Sequence, residues 1–185
     1  MHQTSGRWKL GLVLAFTAAF MWGVLPIALK GLLLYMDSIT ITWYRFFIAL
    51  VVIFSFLKIK KQLPRLNQLN HRLILILLFV STLGLLANYI LYMVGLEHST
   101  AEGAQLMIQL APMLLLLGSL WLFKESFNRW QTIGLISFII GLVLFFNHRI
   151  SDLTSVSSPY GYGIFLVFIA SIAWAFYALA QKQLL

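Results

Sequence analysis

Charged side chains are so sparse along this chain that the gaps between them define its elements. Between Lys9 and Lys30 lie 20 residues with no Asp, Glu, Lys, Arg or His, between Arg72 and Glu97 there are 24, and between Glu102 and Lys124 there are 21. Eighteen separate Arg129 from His148, and 29 separate Asp152 from Lys182. A helix rises about 1.5 Å per residue, so about 20 apolar residues cross a hydrocarbon core of about 30 Å. A further run, Ile39–Leu57, is also long enough, although Arg45 lies near its start. Six spans are therefore predicted: Leu10–Leu33, Ile39–Leu57, Leu73–Leu96, Gly103–Phe123, Trp130–Asn147 and Tyr160–Gln181.

Composition agrees with an all-α integral membrane protein. The chain is 61% hydrophobic and only 10% charged, too little polar material to clothe a soluble domain of this length. The first span is too long for the apolar core of a signal peptide, contains Trp22 and Pro26, and is followed by no small-residue cleavage site. Cysteine is absent, which excludes disulfides and thiolate metal sites.

Charge then sets the expected topology. If loops alternate sides, one side holds Arg7, Lys9, Lys58, Lys60, Lys61, Arg65, Arg72, Lys124, Arg129 and Lys182, and the other only Lys30 and Arg149. Asp37, Glu97, Glu102 and Asp152 fall on the side poor in Lys and Arg. Basic loops stay cytoplasmic, so the N-terminus is expected inside a cell membrane that the chain crosses repeatedly. The net charge of +8 reads as loops facing anionic headgroups, with no nucleic-acid partner implied.

Shifting the chain by 152 residues lays the sixth span on the first. Gly11 meets Gly163, Leu14 meets Leu166, Phe16 meets Phe168, Ala18 meets Ala170, Trp22 meets Trp174, Ala28 meets Ala180 and Lys30 meets Lys182. With Leu32 and Leu33 on Leu184 and Leu185, that makes nine identities in 23 positions. The weight rests on the Trp–Lys pair and the glycine. Five crossings separate the copies, so the second unit enters the membrane from the opposite side. Inverted repeats of this kind enclose midplane sites in secondary transporters. A complete pair needs about 300 residues and ten helices, twice the shift of 152, so the chain reads as truncated after the sixth helix.

Met21-Trp22-Gly23 with Lys30, Tyr44-Arg45-Phe46, Gln109-Leu110-Ala111-Pro112 leading to Phe123-Lys124-Glu125, and the paired Gly134 and Gly141 together resemble the EamA domain of the drug/metabolite transporter superfamily. The resemblance implies one five-helix repeat over residues 1–147, an outer loop over 148–159, and the first helix of a truncated second repeat over 160–185. It further implies exchange or export of metabolites or drugs by alternating access, with a small organic solute as partner.

Polar residues within hydrocarbon must find a partner or face a cavity, so they are the candidates for the substrate pathway. Trp22, Pro26 and Lys30 share a face of the first helix at i, i+4, i+8, and Pro26 frees a carbonyl so that the helix can bend. Lys30 either attracts an anionic group near the outer mouth or snorkels to headgroups. Arg45 can be satisfied by snorkelling, by Glu97 or Glu102, or by a substrate carboxylate. Asn88 and Tyr92 supply hydrogen-bonding groups on the third helix. Gln105 and Gln109 do so on the fourth, with Pro112 as a hinge. Gly134, Ser137 and Gly141 are expected to pack against another helix. Lys124 and Glu125 are read as a surface ion pair of little weight.

No metal or other cofactor is expected, since His98 and His148 have no second ligand at metal spacing. An enzyme is disfavoured, because neither an HExxH pair nor a Walker-type loop is present. No Asp or Glu lies mid-helix, so a simple central proton switch is not expected. Two alternatives stand beside the transporter reading: a half-size protein completing itself as an oppositely oriented homodimer, and a non-transporting scaffold. The charge bias opposes the first, and the amides of the fourth helix have no use in the second.

Overall fold

The computed structural model describes residues 8–62, 72–124, 126, 128–155 and 157–184. Arg7, Arg65, Glu125 and Leu185 lie outside the described residues, and with them the Lys124–Glu125 pair and the last repeat identity. The described residues form eight α-helices: α1 Trp8–Leu32, α2 Ser38–Ile59, α3 Arg72–His98, α4 Ala101–Ile108, α5 Leu110–Phe123, α6 Arg129–Phe146, α7 Ile150–Thr154 and α8 Pro159–Leu184. A 3-10 turn, Asn147–Arg149, joins α6 to α7. Six crossings of membrane length result, with α4 and α5 together making the fourth (Ala101–Phe123) and α6 extended through α7 making the fifth. The chain is an all-α, multi-pass membrane protein. The stretch expected as an outer loop, 148–159, is mostly the 3-10 turn and α7, leaving only a short link before Pro159.

Local chemistry starts and stops these helices where charge does not. The Asp37 carboxylate caps α2, accepting from the Thr40 amide at 2.9 Å and the Thr40 hydroxyl at 2.6 Å, which satisfies donors left over at a helix start. Thr100 caps α4 through the Gly103 amide at 3.1 Å. Asn128 and Gln131 form a reciprocal capping box at α6. Two prolines behave differently. Pro26 sits inside an unbroken α1, fully buried. Pro112 follows a break at Gln109 that splits the expected Gly103–Phe123 helix in two. Proline lacks an N–H and its ring crowds the carbonyl four residues back. For Pro112 that carbonyl belongs to Ile108, the last residue of α4.

The sixth crossing, α8, is the centre of the molecule. Forty-four per cent of its apolar stretch is buried, against 6–11% for the other five. It packs along α3 and against α4 and α5. Glycine makes the α3 approach close: a Cβ on Gly95 would stand 2.7 Å from the Gly163 carbonyl oxygen and 2.7 Å from Val167. One on Gly84 would stand 2.9 Å from the Ala173 carbonyl oxygen. The order of these contacts, Gly163 on Gly95 and Ala173 on Gly84, shows that α8 runs antiparallel to α3. Lys30 near the end of α1 reaches Leu96, Glu97 and Ser99 at the end of α3, so α1 and α3 finish on one side. The two segments related by the 152-residue shift therefore run in opposite directions. At the end where α1 and α3 finish and α8 begins, Leu29, Ile41, Met93, Leu96, Ala104 and Val167 form a buried apolar plug.

One expectation fails here. Gly134 and Gly141 do not pack: nothing lies within 4 Å of a Cβ built on either. Their glycine spacing makes a face that can be approached closely, but no other described element of this chain comes to it.

Candidate functional site

Next to the apolar plug, five crossings leave a cavity of about 240 Å³. Trp22 and Leu25 enter it from α1, Arg45 from α2, Asn88, Tyr89 and Tyr92 from α3, and Trp174 from α8. The fourth crossing supplies Gln105 and Ile108 from α4, Gln109 from the break, and Ala111 and Pro112 from α5. The break therefore places an irregular stretch of backbone beside the cavity, where a membrane protein tolerates one.

Six residues expected along a substrate pathway are thus brought together: Trp22, Arg45, Asn88, Tyr92, Gln105 and Gln109 line one space, with Pro112 beside them. Their situations differ. Asn88 is buried and its Nδ2 donates to the Ala170 carbonyl at 2.9 Å, so one of its jobs is to tie α3 to α8. Among the described residues, no protein group takes up the side-chain amides of Gln105 and Gln109; both remain available to a bound solute.

Arg45 lies seven residues into α2, about 10 Å along its axis at 1.5 Å per residue. Its Cζ stands 5.0 Å from the centre of the Tyr89 ring, and its Nη1 lies 3.9 Å from the Met93 sulfur. Neither Glu97 nor Glu102 partners it among the described residues. No Asp or Glu lines the cavity. A guanidinium at membrane depth costs about 2.5–3.5 kcal/mol or more, and a cation–π contact returns only about 0.5–2 kcal/mol of that. The cavity therefore carries an incompletely offset positive charge.

Lys30 is the exception among the candidates. It does not reach the cavity. Its Nζ donates to the carbonyls of Leu96 at 2.7 Å, Glu97 at 2.8 Å and Ser99 at 2.6 Å. The Leu96 and Glu97 carbonyls are orphan acceptors at the negative end of α3, and Ser99 follows that end. Its repeat counterpart Lys182 sits at the other end of the bundle, 3.2 Å from the Ser119 hydroxyl and 5.0 Å from the Phe123 ring centre.

The residue that a reading of polar positions passes over is Trp174. It lines the cavity from α8, and its signal was the alignment of Trp22 on Trp174. Tyr89 was visible as a neighbour of the Asn88–Tyr92 stripe, whereas Leu25, Ile108 and Ala111 carry nothing that sets them apart from other apolar positions. Among the described residues, no group of three or more His, Asp or Glu is placed to hold a metal.

Residues 9–147 match the model of a family described as "EamA-like transporter family". The chain is 36% identical over 185 residues to the "Uncharacterized inner membrane transporter YhbE" of Escherichia coli K12, covering 100% of this chain and 57% of that protein. An "Uncharacterized transporter" of Haemophilus influenzae is 37% identical over 176 residues, covering 95% of this chain and 56% of its own length. A third, from Archaeoglobus fulgidus, is 27% identical over 182 residues. The chain thus spans somewhat over half the length of the curated relatives it matches. No solved structure matches it closely enough to count.

Proposed function

This chain belongs to the EamA-like transporter family, and on that premise we propose that its cavity is one wall of the solute site of a secondary transporter for small organic metabolites. One observation carries the reading: Trp22 and Trp174, which a shift of 152 residues aligns on two oppositely running helices, both line a single cavity. An inverted repeat places equivalent residues around a shared axis, and transporters of that design put the solute there. The residues around the pair include Arg45, Asn88, Tyr92, Gln105 and Gln109, polar groups that hydrocarbon would otherwise exclude.

Alternating access then has a physical counterpart. The apolar plug, with Lys30 fastened to the end of α3, closes one side of the cavity. On the positive-inside assignment that side is the outer one, and the N-terminus is cytoplasmic. In this reading residues 1–147 are one repeat and residues 160–185 the opening helix of its inverted partner. Release of solute outward requires the plug to part, and the three Lys30 hydrogen bonds to break with it.

The test compares cells expressing the chain with cells expressing Gln109→Leu or Trp174→Ala at equal membrane levels. The distribution of small organic solutes between cytoplasm and medium is measured by mass spectrometry against a vector control. A solute that moves with the chain and returns to control in both variants supports the proposal. Identical distributions in all four strains overturn it.

A further inference from the structure

We propose that the cavity takes an organic anion, its carboxylate on the Arg45 guanidinium and its apolar body against Trp22 and Trp174. The assignment rests on the reading of this cavity as a solute site and names the chemistry of the solute. Arginine stays charged under all physiological conditions and presents five N–H donors. The guanidinium lies over the Tyr89 ring, against the Met93 sulfur and within electrostatic reach of the Tyr92 side chain, all of them neutral. A guanidinium stacked over a ring keeps its edge donors free, and that edge matches a carboxylate in two parallel hydrogen bonds.

The remainder of the lining selects in the same direction. With no Asp or Glu in the wall, an ammonium group finds no opposite charge, and Arg45 repels it. Two indoles supply broad flat surface for an apolar body. The Gln105 and Gln109 amides can donate to or accept from a carbonyl or hydroxyl group elsewhere on the solute. A monocarboxylate with a planar apolar body fits the guanidinium and the indoles, whereas a cationic amine fits the indoles and the Gln amide oxygens but leaves Arg45 as unpaired as before.

Three probes of one shape separate these outcomes: phenylacetate, phenylacetamide and phenethylamine. Binding of each to the chain in phosphatidylcholine nanodiscs is measured by equilibrium dialysis, with empty discs as the blank. Phenylacetate is expected to bind at least about tenfold more tightly than the amide, the gain of a charge-assisted pair over a neutral one, and the amine most weakly. Arg45→Gln should abolish the preference for the acid over the amide. Arg45→Lys, which keeps the charge and loses the fork, should retain part of the preference and covers the case in which the glutamine variant fails to fold. Trp174→Ala should weaken acid and amide alike.

Equal binding of all three probes, tighter binding of the amine, or an acid preference that survives in Arg45→Gln overturns the anion assignment while the solute cavity stands. Binding of none of them overturns both. Discs containing phosphatidylglycerol separate a free carboxylate from a lipid phosphate: loss of the acid preference there would give the guanidinium to the lipid and overturn the assignment.

Discussion

The α3–α8 seam and α6 are built from similar material, long apolar helices interrupted by glycines, and they end in opposite situations. At the seam, Gly84, Gly95 and Gly163 bring two backbones together until no Cβ fits. On α6, Gly134 and Gly141 face open space. Lipid tails are as apolar as leucine, so helices in a bilayer gain nothing from apolar surface alone. What the seam has in addition is a polar tie: Asn88 donates to the Ala170 carbonyl. Ser171 of α8 likewise reaches the Met107 carbonyl of α4 at 3.3 Å. Glycine permits close approach; a hydrogen bond across the gap decides which helix approaches.

That contrast orders the effects of substitution. The largest is expected for Gly95→Leu, whose side chain would run into the Gly163 carbonyl and Val167. Overpacking against backbone costs about 3 kcal/mol or more, and loss of the folded peak in fluorescence-detected size exclusion is the readout. Retention of the peak at wild-type melting temperature would mean that α8 does not lie on α3 as described.

Lys30→Met comes next. It strips three hydrogen bonds from the end of α3, and since the lysine is only partly buried about 2 kcal/mol is expected for the set, measured as a shift in SDS-induced unfolding. If Lys30 instead served the headgroups, methionine would change little. Asn88→Leu should follow at about 1 kcal/mol, the usual worth of an interhelical side-chain bond in a bilayer. The same measurement reads it, and a neutral result would leave glycine alone responsible for the seam.

Gly141→Leu should have the smallest effect, within about 0.5 kcal/mol, because no atom of the described residues lies within 4 Å of a Cβ there. A penalty approaching that of Gly95→Leu would show the α6 face to be engaged, and dependence of that penalty on protein concentration would point to a second copy.

Much of this architecture was legible in the chain before any coordinates. Six crossings follow from the gaps between charges, since hydrocarbon forbids what water allows. The shift of 152 residues matched Trp22 to Trp174 and implied opposite directions for their helices. Less was visible where one residue had several physical outlets. Lys30 had headgroups, solute and helix carbonyls to choose from, and only the position of the α3 end decides. Gly134 and Gly141 showed a face suited to packing, yet a single chain's pattern cannot say whether a partner arrives. Pro26 and Pro112 look alike in sequence. One is itself buried within an unbroken helix and the other stands just after a break, which depends on neighbours that the local pattern does not contain. The cavity itself drew on five separate crossings, and only their packing showed that Arg45 has no carboxylate beside it.

The account depends on two oppositely running copies presenting the same tryptophan to one space. The chain has no cysteine, so Trp22→Cys and Trp174→Cys can be placed together without background and treated in native membranes with a short bifunctional thiol reagent. We expect rapid cross-linking within one chain, seen as a mobility shift that persists at low expression, with each single variant labelled by a small aqueous thiol reagent. Labelling of both single variants with no link in the double variant, or a link formed only between copies, would contradict the shared cavity.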